Sequence, residues 1–193
     1  WTHDRHRTTD DDPYGGGQGL VMKCEPIFEA YDDIVAQGAA PYTIFLTPCG
    51  EPFDQGVATE LSEKDRLLFI CGHYEGIDER IIDLEIDEEI SIGDFVLTGG
   101  ELPAAIVVDS VSRMVDGVLP SSECYENESI AGGLLEYPQY TRPRSFEGLE
   151  VPEVLTNGNH AQIEAWKHKQ ALERTIRKRP DIYEKYIKSN GNE

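Results

Sequence analysis

The stretch Ser91-Ile92-Gly93-Asp94-Phe95-Val96-Leu97-Thr98-Gly99-Gly100-Glu101-Leu102-Pro103 contains three glycines and a proline, residues that interrupt ordinary strands and helices. A glycine has no β-carbon, so its backbone adopts positive φ readily and lies closer to a ligand than another residue allows. Taken alone, the stretch is as typical of a tight strand-to-helix turn as of a ligand-binding loop.

Two further turns of this kind each follow a short apolar run. One is Ile70-Cys71-Gly72-His73-Tyr74-Glu75-Gly76-Ile77-Asp78, and the other is Leu46-Thr47-Pro48-Cys49-Gly50-Glu51-Pro52. Three such loops at strand ends predict one shared ligand pocket.

The segments around these loops predict an α/β layer. The runs 42–46 and 67–71 are continuous and apolar, as in strands that are covered on both faces. Pro26 and Gly38 frame a helix over 26–37. This alternation of helices and strands favours a mostly parallel sheet with flanking helices.

A core helix is predicted from Leu102 to Val115, directly after the glycine loop. The residues that recur there at helical spacing, and that we assign to its core face, are Ala105, Val108, Val111, Ser112 and Val115.

The C-terminal part of the chain has a different plan. Residues 121–129 lack periodicity and large aliphatic side chains, which predicts a mobile linker. Farther on, Asn159 and Gln162 resemble a capping box, and Pro180 ends the helix that follows. An apolar stripe on this helix is predicted from Ala161, Ala165, Leu172 and Ile176.

The composition is that of a soluble globular chain of 193 residues, with 39% hydrophobic and 28% charged residues. No apolar run is long enough to cross a bilayer, and residues 1–7 lack the apolar core of a secretory signal. We therefore expect a cytoplasmic protein with no membrane span. The four cysteines are far apart and form no CxxC motif, so free thiols are favoured over disulfides or zinc ligands.

The net charge of −20 argues against a general polyanion binder. Charge is uneven, however: 60–91 carries a net charge of −8, whereas 167–179 has six basic residues and one acidic residue. The basic segment is compatible either with a solvated helix face or with a nucleic-acid surface.

An ordered set of motifs carries a resemblance to a known family. The motifs are Thr2-His3-Asp4-Arg5-His6-Arg7-Thr8, Pro13-Tyr14-Gly15-Gly16-Gly17, Cys71 to Arg80, Ser91 to Pro103, Asp109-Ser110-Val111-Ser112-Arg113, Tyr140-Thr141-Arg142-Pro143 and Gly158-Asn159-His160. With them the chain resembles the bacterial tRNA (guanine-N1)-methyltransferases, which belong to the knotted S-adenosylmethionine-dependent class. The dinucleotide fingerprint GxGxxG is absent, which argues against a nicotinamide enzyme.

The resemblance implies a trefoil-knotted α/β domain over 1–120, a flexible linker over 121–137 and a helical tRNA-binding domain over 138–193. The family pattern begins with a strand and a helix before Thr2, and this chain begins almost at that motif. Loss of a first strand would expose a sheet edge.

The resemblance also implies which residues hold S-adenosylmethionine. Carried over position by position, they are Phe45, Leu46, Thr47, Pro48, Gly72, Tyr74, Glu75, Ile92, Gly93, Asp94, Phe95, Val96, Leu97, Gly99, Gly100 and Pro103. His73 stands where other members carry arginine, and we assign it no chemistry.

The family methylates N1 of guanosine 37 in tRNA, beside the anticodon. That nitrogen carries a proton at neutral pH, so a base must remove it as the methyl group is attacked. Glu128, before Ser129, occupies the position of the family's proposed aspartate base. Arg113 matches an arginine near the guanine, where a guanidinium would stabilise charge on the exocyclic oxygen. Without the resemblance, we would interpret Glu128 as an exposed acidic residue of an acidic linker. Likewise, we would interpret Arg113 as the ion-pair partner of a structural carboxylate.

The remaining expectations concern partners. The family acts as a homodimer, with the cofactor loops of one subunit facing the linker and small domain of the other. Residues matched or assigned to tRNA contact are His6, Asp10, Arg142, His160, Lys167, Lys169 and Arg177. Mg²⁺ can assist the family, but no His, Cys or Asp cluster has metal-ligand spacing. The alternatives left open are a related knotted methyltransferase acting on another RNA position and a non-catalytic RNA-binding form.

Overall fold

The computed structural model describes residues 1–121, 123–126 and 128–190. The chain divides into two compact units, Trp1–Val118 and Leu119–Glu193. Residues 122 and 127 of the expected linker, and residues 191–193 of the expected C-terminal domain, lie outside the described part. Among the residues described, no helix is long and apolar enough to cross a membrane.

The first unit combines helices with a parallel sheet. Its elements are β1 (Asp10–Asp11), β2 (Val21–Met22), α1 (Cys24–Val35), β3 (Tyr42–Pro52), α2 (Gln55–Ser62), β4 (Leu67–Ile70), α3 (Glu79–Glu85), β5 (Glu88–Ser91) and α4 (Glu101–Ser112). Three strands pair in parallel in the order β4-β3-β5. This confirms the predicted α/β class with a parallel sheet. The two-residue strands β1 and β2 form an antiparallel pair, which the sequence motifs did not predict.

The central strand β3 supplies side chains to two apolar clusters. Ile44 and Leu46 pack in one cluster with residues of α2 and α4. Phe45, between them in sequence, packs in the other cluster with Ile77 and Ile81. Because both faces of the strand are covered, its sequence reads as a continuous apolar run. Full burial of each such side chain contributes about 1.5–3 kcal/mol.

A register shift bends β3 beside β5. Leu46 and Glu51 both lie opposite Ile90, so the residues between them leave the ladder. Such irregularities re-aim a strand, and they are common beside functional sites. A β-carbon built at Gly50 would lie 2.4 Å from the backbone nitrogen of Ile90, which explains why this position needs glycine.

Helix α4 buries a different face from the predicted one. Pro103, Val107 and Val111 are its buried residues, spaced four apart on one side. Of the predicted face, Val111 is buried, but Val108 and Val115 are 45% and 47% exposed. The helix is apolar almost all round, so periodicity alone could not select the face that meets the sheet.

The second unit contains α5 (Glu123–Glu126), β6 (Ser145–Phe146), β7 (Leu149–Glu150), a 3₁₀ turn (Glu153–Thr156), α6 (His160–Lys178) and α7 (Pro180–Asn190). The Asn159 side chain caps α6 by accepting a hydrogen bond from the Gln162 backbone N–H at 3.2 Å. In a capping box the Gln162 side chain would bond back to the Asn159 backbone N–H. Here the Gln162 side-chain oxygen instead accepts from the Asn157 side-chain amide at 2.8 Å.

The buried face of α6 is formed by Ala171 and Thr175. The Thr175 hydroxyl donates to the Ala171 carbonyl at 2.7 Å and accepts from the Leu135 backbone N–H at 2.9 Å. It thereby connects the segment around Leu135 to α6. The predicted apolar stripe was wrong for Ala161, Ala165 and Ile176, which are exposed, whereas Leu172 is half-buried.

Candidate functional site

The three glycine-containing loops meet in one cavity of about 490 Å³ in the first unit. They follow neighbouring parallel strands, and the carboxyl ends of such strands lie at the same edge of a sheet, where ligands of open α/β sheets bind. Of the sixteen residues expected to hold the cofactor, fifteen line the cavity, and Asp94 does not. Those fifteen are Phe45, Leu46, Thr47, Pro48, Gly72, Tyr74, Glu75, Ile92, Gly93, Phe95, Val96, Leu97, Gly99, Gly100 and Pro103.

Glycines allow the second and third loops to touch through their backbones. The Gly100 N–H donates to the Gly72 carbonyl at 3.1 Å, and His73 and Gly99 form an isolated antiparallel bridge. A β-carbon built at Gly100 would lie 2.7 Å from the Cα of Cys71. The wall of the cavity therefore has no room for a side chain at this point.

The cavity combines apolar surface with carboxylates. Leu46, Ile92 and Leu97 supply aliphatic side chains, whereas Glu75 and Glu79 supply negative charge. Such a lining suits a ligand that has both a flat apolar ring and a positively charged group.

One loop residue, Tyr74, has a backbone conformation typical of functional sites. Tyr74 adopts φ of 56°, a left-handed conformation that is uncommon outside glycine. Its side chain is 63% exposed, and that of Val96 in the third loop is 85% exposed. Both belong to the cavity lining, so apolar and aromatic surface is available at its mouth.

Sequence reasoning missed ten of the lining residues. They are Cys49, His73, Gly76, Ile77, Glu79, Ile82, Glu89, Ile90, Ser91 and Thr98. Half of them, Cys49, Gly76, Ile77, Ile90 and Ser91, extend the expected segments by one or two residues, and His73 and Thr98 lie within those segments. The carboxyl end of β5 could have been found by extending the third loop backward into the preceding strand.

The two proposed catalytic residues lie in different compact units. Arg113 directly follows α4 in the first unit, and Glu128 lies in the second. Both side chains are half-buried.

The expected tRNA-contact residues are distributed over both units. In the first, His6 is exposed, and Asp10 is half-buried in the short strand β1. In the second, Arg142 is exposed and precedes Pro143 through a cis peptide bond. His160 is exposed at the first position of α6.

The basic residues of α6 fall into two groups. Lys167 donates to Glu164 at 2.8 Å, and this bond raises the lysine pKa. The Nζ atom of Lys169 lies 3.8 Å from Oε1 of Glu173, which makes a second ion pair. Arg177, in contrast, lines a groove of about 420 Å³ whose other walls are Pro138, Gln170, Glu173, Arg174 and Lys178.

The groove cations are available to an external anion. Arg174, Arg177 and Lys178 form no ion pair with any carboxylate in the described ranges, which omit 122, 127 and 191–193. Within the same ranges, no three His, Cys, Asp or Glu side chains are grouped so that they could hold a metal ion.

Comparison with known proteins yields one family. Residues 1–185 match the model of tRNA (Guanine-1)-methyltransferase TrmD. A tRNA (guanine-N(1)-)-methyltransferase of Lachnospira eligens is 50% identical, over the whole chain and 82% of the relative. Proteins of the same name from Moorella thermoacetica and Staphylococcus aureus are 55% and 53% identical, covering 94% and 97% of this chain and 74% and 76% of their own.

Proposed function

The chain belongs to the tRNA (guanine-1)-methyltransferase family, and from that membership we propose how its residues carry out the reaction that the family name describes. The enzyme transfers a methyl group to N1 of guanosine 37 of tRNA, and the family implies S-adenosylmethionine as the donor. The observation that carries the proposed site is the cavity at the strand ends, where fifteen of the sixteen expected residues converge.

The cavity suits S-adenosylmethionine on chemical grounds. Its aliphatic side chains would cover the adenine ring, and loop backbone groups would bond the ring edge. The carboxylates of Glu75 and Glu79 would attract the sulfonium and the amino group. Gly99 and Gly100 would let the ligand approach the backbone. The bound donor supplies an electrophilic methyl group.

Glu128 is proposed as the base. Its carboxylate accepts the N1 proton of guanine while N1 forms a bond to the methyl carbon and the carbon–sulfur bond breaks. The products are 1-methylguanosine, the protonated base and S-adenosylhomocysteine, so charge and atoms balance. Aspartate is the family's usual residue here, and glutamate reaches one methylene farther, which shifts the carboxylate relative to N1.

Arg113 is proposed to stabilise the transition state. As N1 loses its proton, negative charge spreads to the exocyclic oxygen of guanine. A guanidinium donates to such an oxygen in a fixed planar geometry, and its charge persists at any working pH. The residue at the end of a packed helix has the rigid support that such a role needs.

The active form is proposed to be a trefoil-knotted homodimer in which Glu128 serves the cofactor cavity of the partner subunit. The exposed apolar side of α4 supports this assembly. Leu102 and Ile106, one turn apart, are 67% and 48% exposed. Exposed apolar surface of this kind is typical of a protein interface.

The expected domain roles are proposals as well: 1–120 binds the cofactor, 121–137 acts as a flexible linker, and 138–193 binds tRNA. His6, Asp10, Arg142 and His160 are proposed to contact tRNA, with the basic residues of α6. We propose Mg²⁺ as an assisting ion, with no site assigned in the chain, and the cytoplasm as the location, since tRNA is its substrate.

The test is to incubate the purified chain with S-adenosylmethionine and a tRNA carrying guanosine 37, then to identify modified nucleosides by mass spectrometry. We expect 1-methylguanosine at position 37 and none in a matched tRNA carrying adenosine there. A methylated nucleoside elsewhere would favour the related knotted enzyme. Cofactor binding with no methylated product would favour the non-catalytic RNA-binding form.

A further inference from the structure

The side chains of His73 and Glu101 join the second and third loops at the cavity. Nε2 of His73 is hydrogen-bonded to Oε1 of Glu101. His73 follows Gly72 in the second loop and lines the cavity, whereas Glu101 is the first residue of α4, directly after the third loop. The bond therefore connects two chain segments 28 residues apart, both of which border the same cavity.

The pair lies directly over Gly99. A β-carbon built there would lie 2.5 Å from Oε2 of Glu101 and 2.8 Å from Cε1 of His73. The end of the third loop is thus enclosed from one side by the pair and from the other by the backbone contact of Gly100 with Gly72. Ahead of this point the loop carries the exposed side chains of Phe95 and Val96 at the cavity mouth.

The two partners are individually well placed. The His73 backbone is held by the bridge to Gly99 and by its carbonyl, which accepts from the Gly76 N–H at 3.0 Å. Glu101 lies in the first turn of α4, where the helix dipole favours a carboxylate. Bonding to backbone and to His73 lowers the Glu101 pKa, so the carboxylate is ionised at neutral pH.

We infer that His73 and Glu101 are positioning residues that fix the end of the third loop over the bound cofactor. The inference rests on the proposed function, since it takes the cavity as the S-adenosylmethionine site. Neither side chain is assigned a contact with a reacting atom. Its effect is on cofactor affinity, because an unfixed loop must be ordered again at each binding event.

The first test is a set of single variants, measured for the KM of each substrate and for kcat. We expect His73→Ala and Glu101→Ala to raise the KM for S-adenosylmethionine about fivefold, as for loss of a partly exposed ion pair. The KM for tRNA and kcat should change less. His73→Arg should restore the KM, because a guanidinium also donates to the Glu101 carboxylate.

A double variant and a matched control separate this role from general destabilisation. If the pair acts as a unit, His73→Ala with Glu101→Ala should raise the KM no more than either single change does. The control is Asp181→Ala, since Asp181 forms a similarly exposed ion pair with Arg179 in the second unit. Its KM for S-adenosylmethionine should equal that of the wild type.

Each outcome has a definite meaning. If the wild type binds S-adenosylmethionine by calorimetry and His73→Ala binds it equally well, the positioning role is wrong. Additive effects of the two alanine changes, or a His73→Arg variant as weak as His73→Ala, would also overturn it. If the wild type itself binds no S-adenosylmethionine, the proposed function fails first.

Discussion

The surroundings of Gly100 leave no room for a β-carbon, although the backbone conformation of this residue is compatible with a side chain. Its φ of −81° is ordinary for any residue, but a β-carbon would lie 2.7 Å from the Cα of Cys71. We expect Gly100→Ala to lower the free energy of unfolding by about 1–3 kcal/mol, the usual effect of overpacking. It should also weaken binding of S-adenosylmethionine, measured by calorimetry, because the loops must separate.

Gly132→Ala is the matched control for this change. No atom lies within 4 Å of the β-carbon position at Gly132, so alanine there should leave unfolding and cofactor binding unchanged. Equal cofactor affinity in the wild type and in Gly100→Ala would show that the contact with Cys71 does not shape the cavity.

Some of the residues at the cavity could be predicted from the sequence, and others could not. The glycine loops could be predicted, because three turns of the same kind each follow a short apolar run. His73 was not, since its bond to Glu101 depends on a contact between distant segments. Asp94 belongs to the third loop but does not line the cavity, and loop membership alone cannot tell in which direction a side chain points.

Helix α3 begins at a charged cap whose effect depends on pH. The Asp78 side chain accepts from the Arg80 backbone N–H at 3.0 Å and from its guanidinium at 2.8 Å. These bonds hold the pKa of the Asp78 carboxyl well below its usual range. The unfolded value is about 3.9. The stabilisation is therefore complete above about pH 5 and is lost progressively as pH falls through about 4 toward the lower pKa of the folded state.

We expect Asp78→Ala to lower the free energy of unfolding by about 1 kcal/mol at pH 7, as for loss of an N-cap. Asp78→Asn keeps a capping oxygen but no charge. Its urea midpoint should therefore decrease less than that of the wild type between pH 5 and pH 3. Parallel pH profiles for the wild type and Asp78→Asn would exclude Asp78 as a source of acid sensitivity.

The two groups of cations on α6 should contribute differently to tRNA binding. Arg174 and Arg177 have no carboxylate partner in the described part of the chain, so they are free to contact phosphates. Lys167 and Lys169 already have Glu164 and Glu173 as partners. Changing both arginines to glutamine should reduce the slope of log K against log salt by about 2, by counterion release.

The matched comparison changes Lys167 and Lys169 to glutamine, removing the same formal charge. We expect a smaller reduction in slope, measured by filter binding at several salt concentrations. Equal reductions for both double variants would mean that the whole helix face, rather than the groove, contacts tRNA.

The elements of the sheet differ in how clearly the sequence predicts them. β3 and β4 were predicted because their apolar runs are covered on both faces. β5 was not predicted, because it begins with Glu88 and Glu89 in an acidic segment and has only two buried residues, Ile90 and Ser91. The buried face of α4 could not be determined from the sequence, since the exposed side of this helix also carries large apolar residues.

The whole enzyme is proposed to be a dimer whose sites draw on both subunits. Arg113 and the cofactor cavity belong to the first compact unit, and Glu128 belongs to the second. The exposed apolar side of α4, with Leu102 and Ile106, supplies a surface for a second copy. If Glu128 serves the partner's cavity, two inactive variants should complement each other in mixed dimers.

The experiment mixes Glu128→Ala subunits with Gly100→Val subunits, whose cavity is blocked beside Cys71. Random pairing in a two-fold dimer makes half of the dimers mixed, each with one intact site of two, so about one quarter of wild-type activity should return. Assembly within one subunit predicts none, because every site then carries a defect. Each variant mixed with itself is the control, and no recovery after exchange, verified by mass spectrometry of the mixed dimers, would exclude assembly in trans.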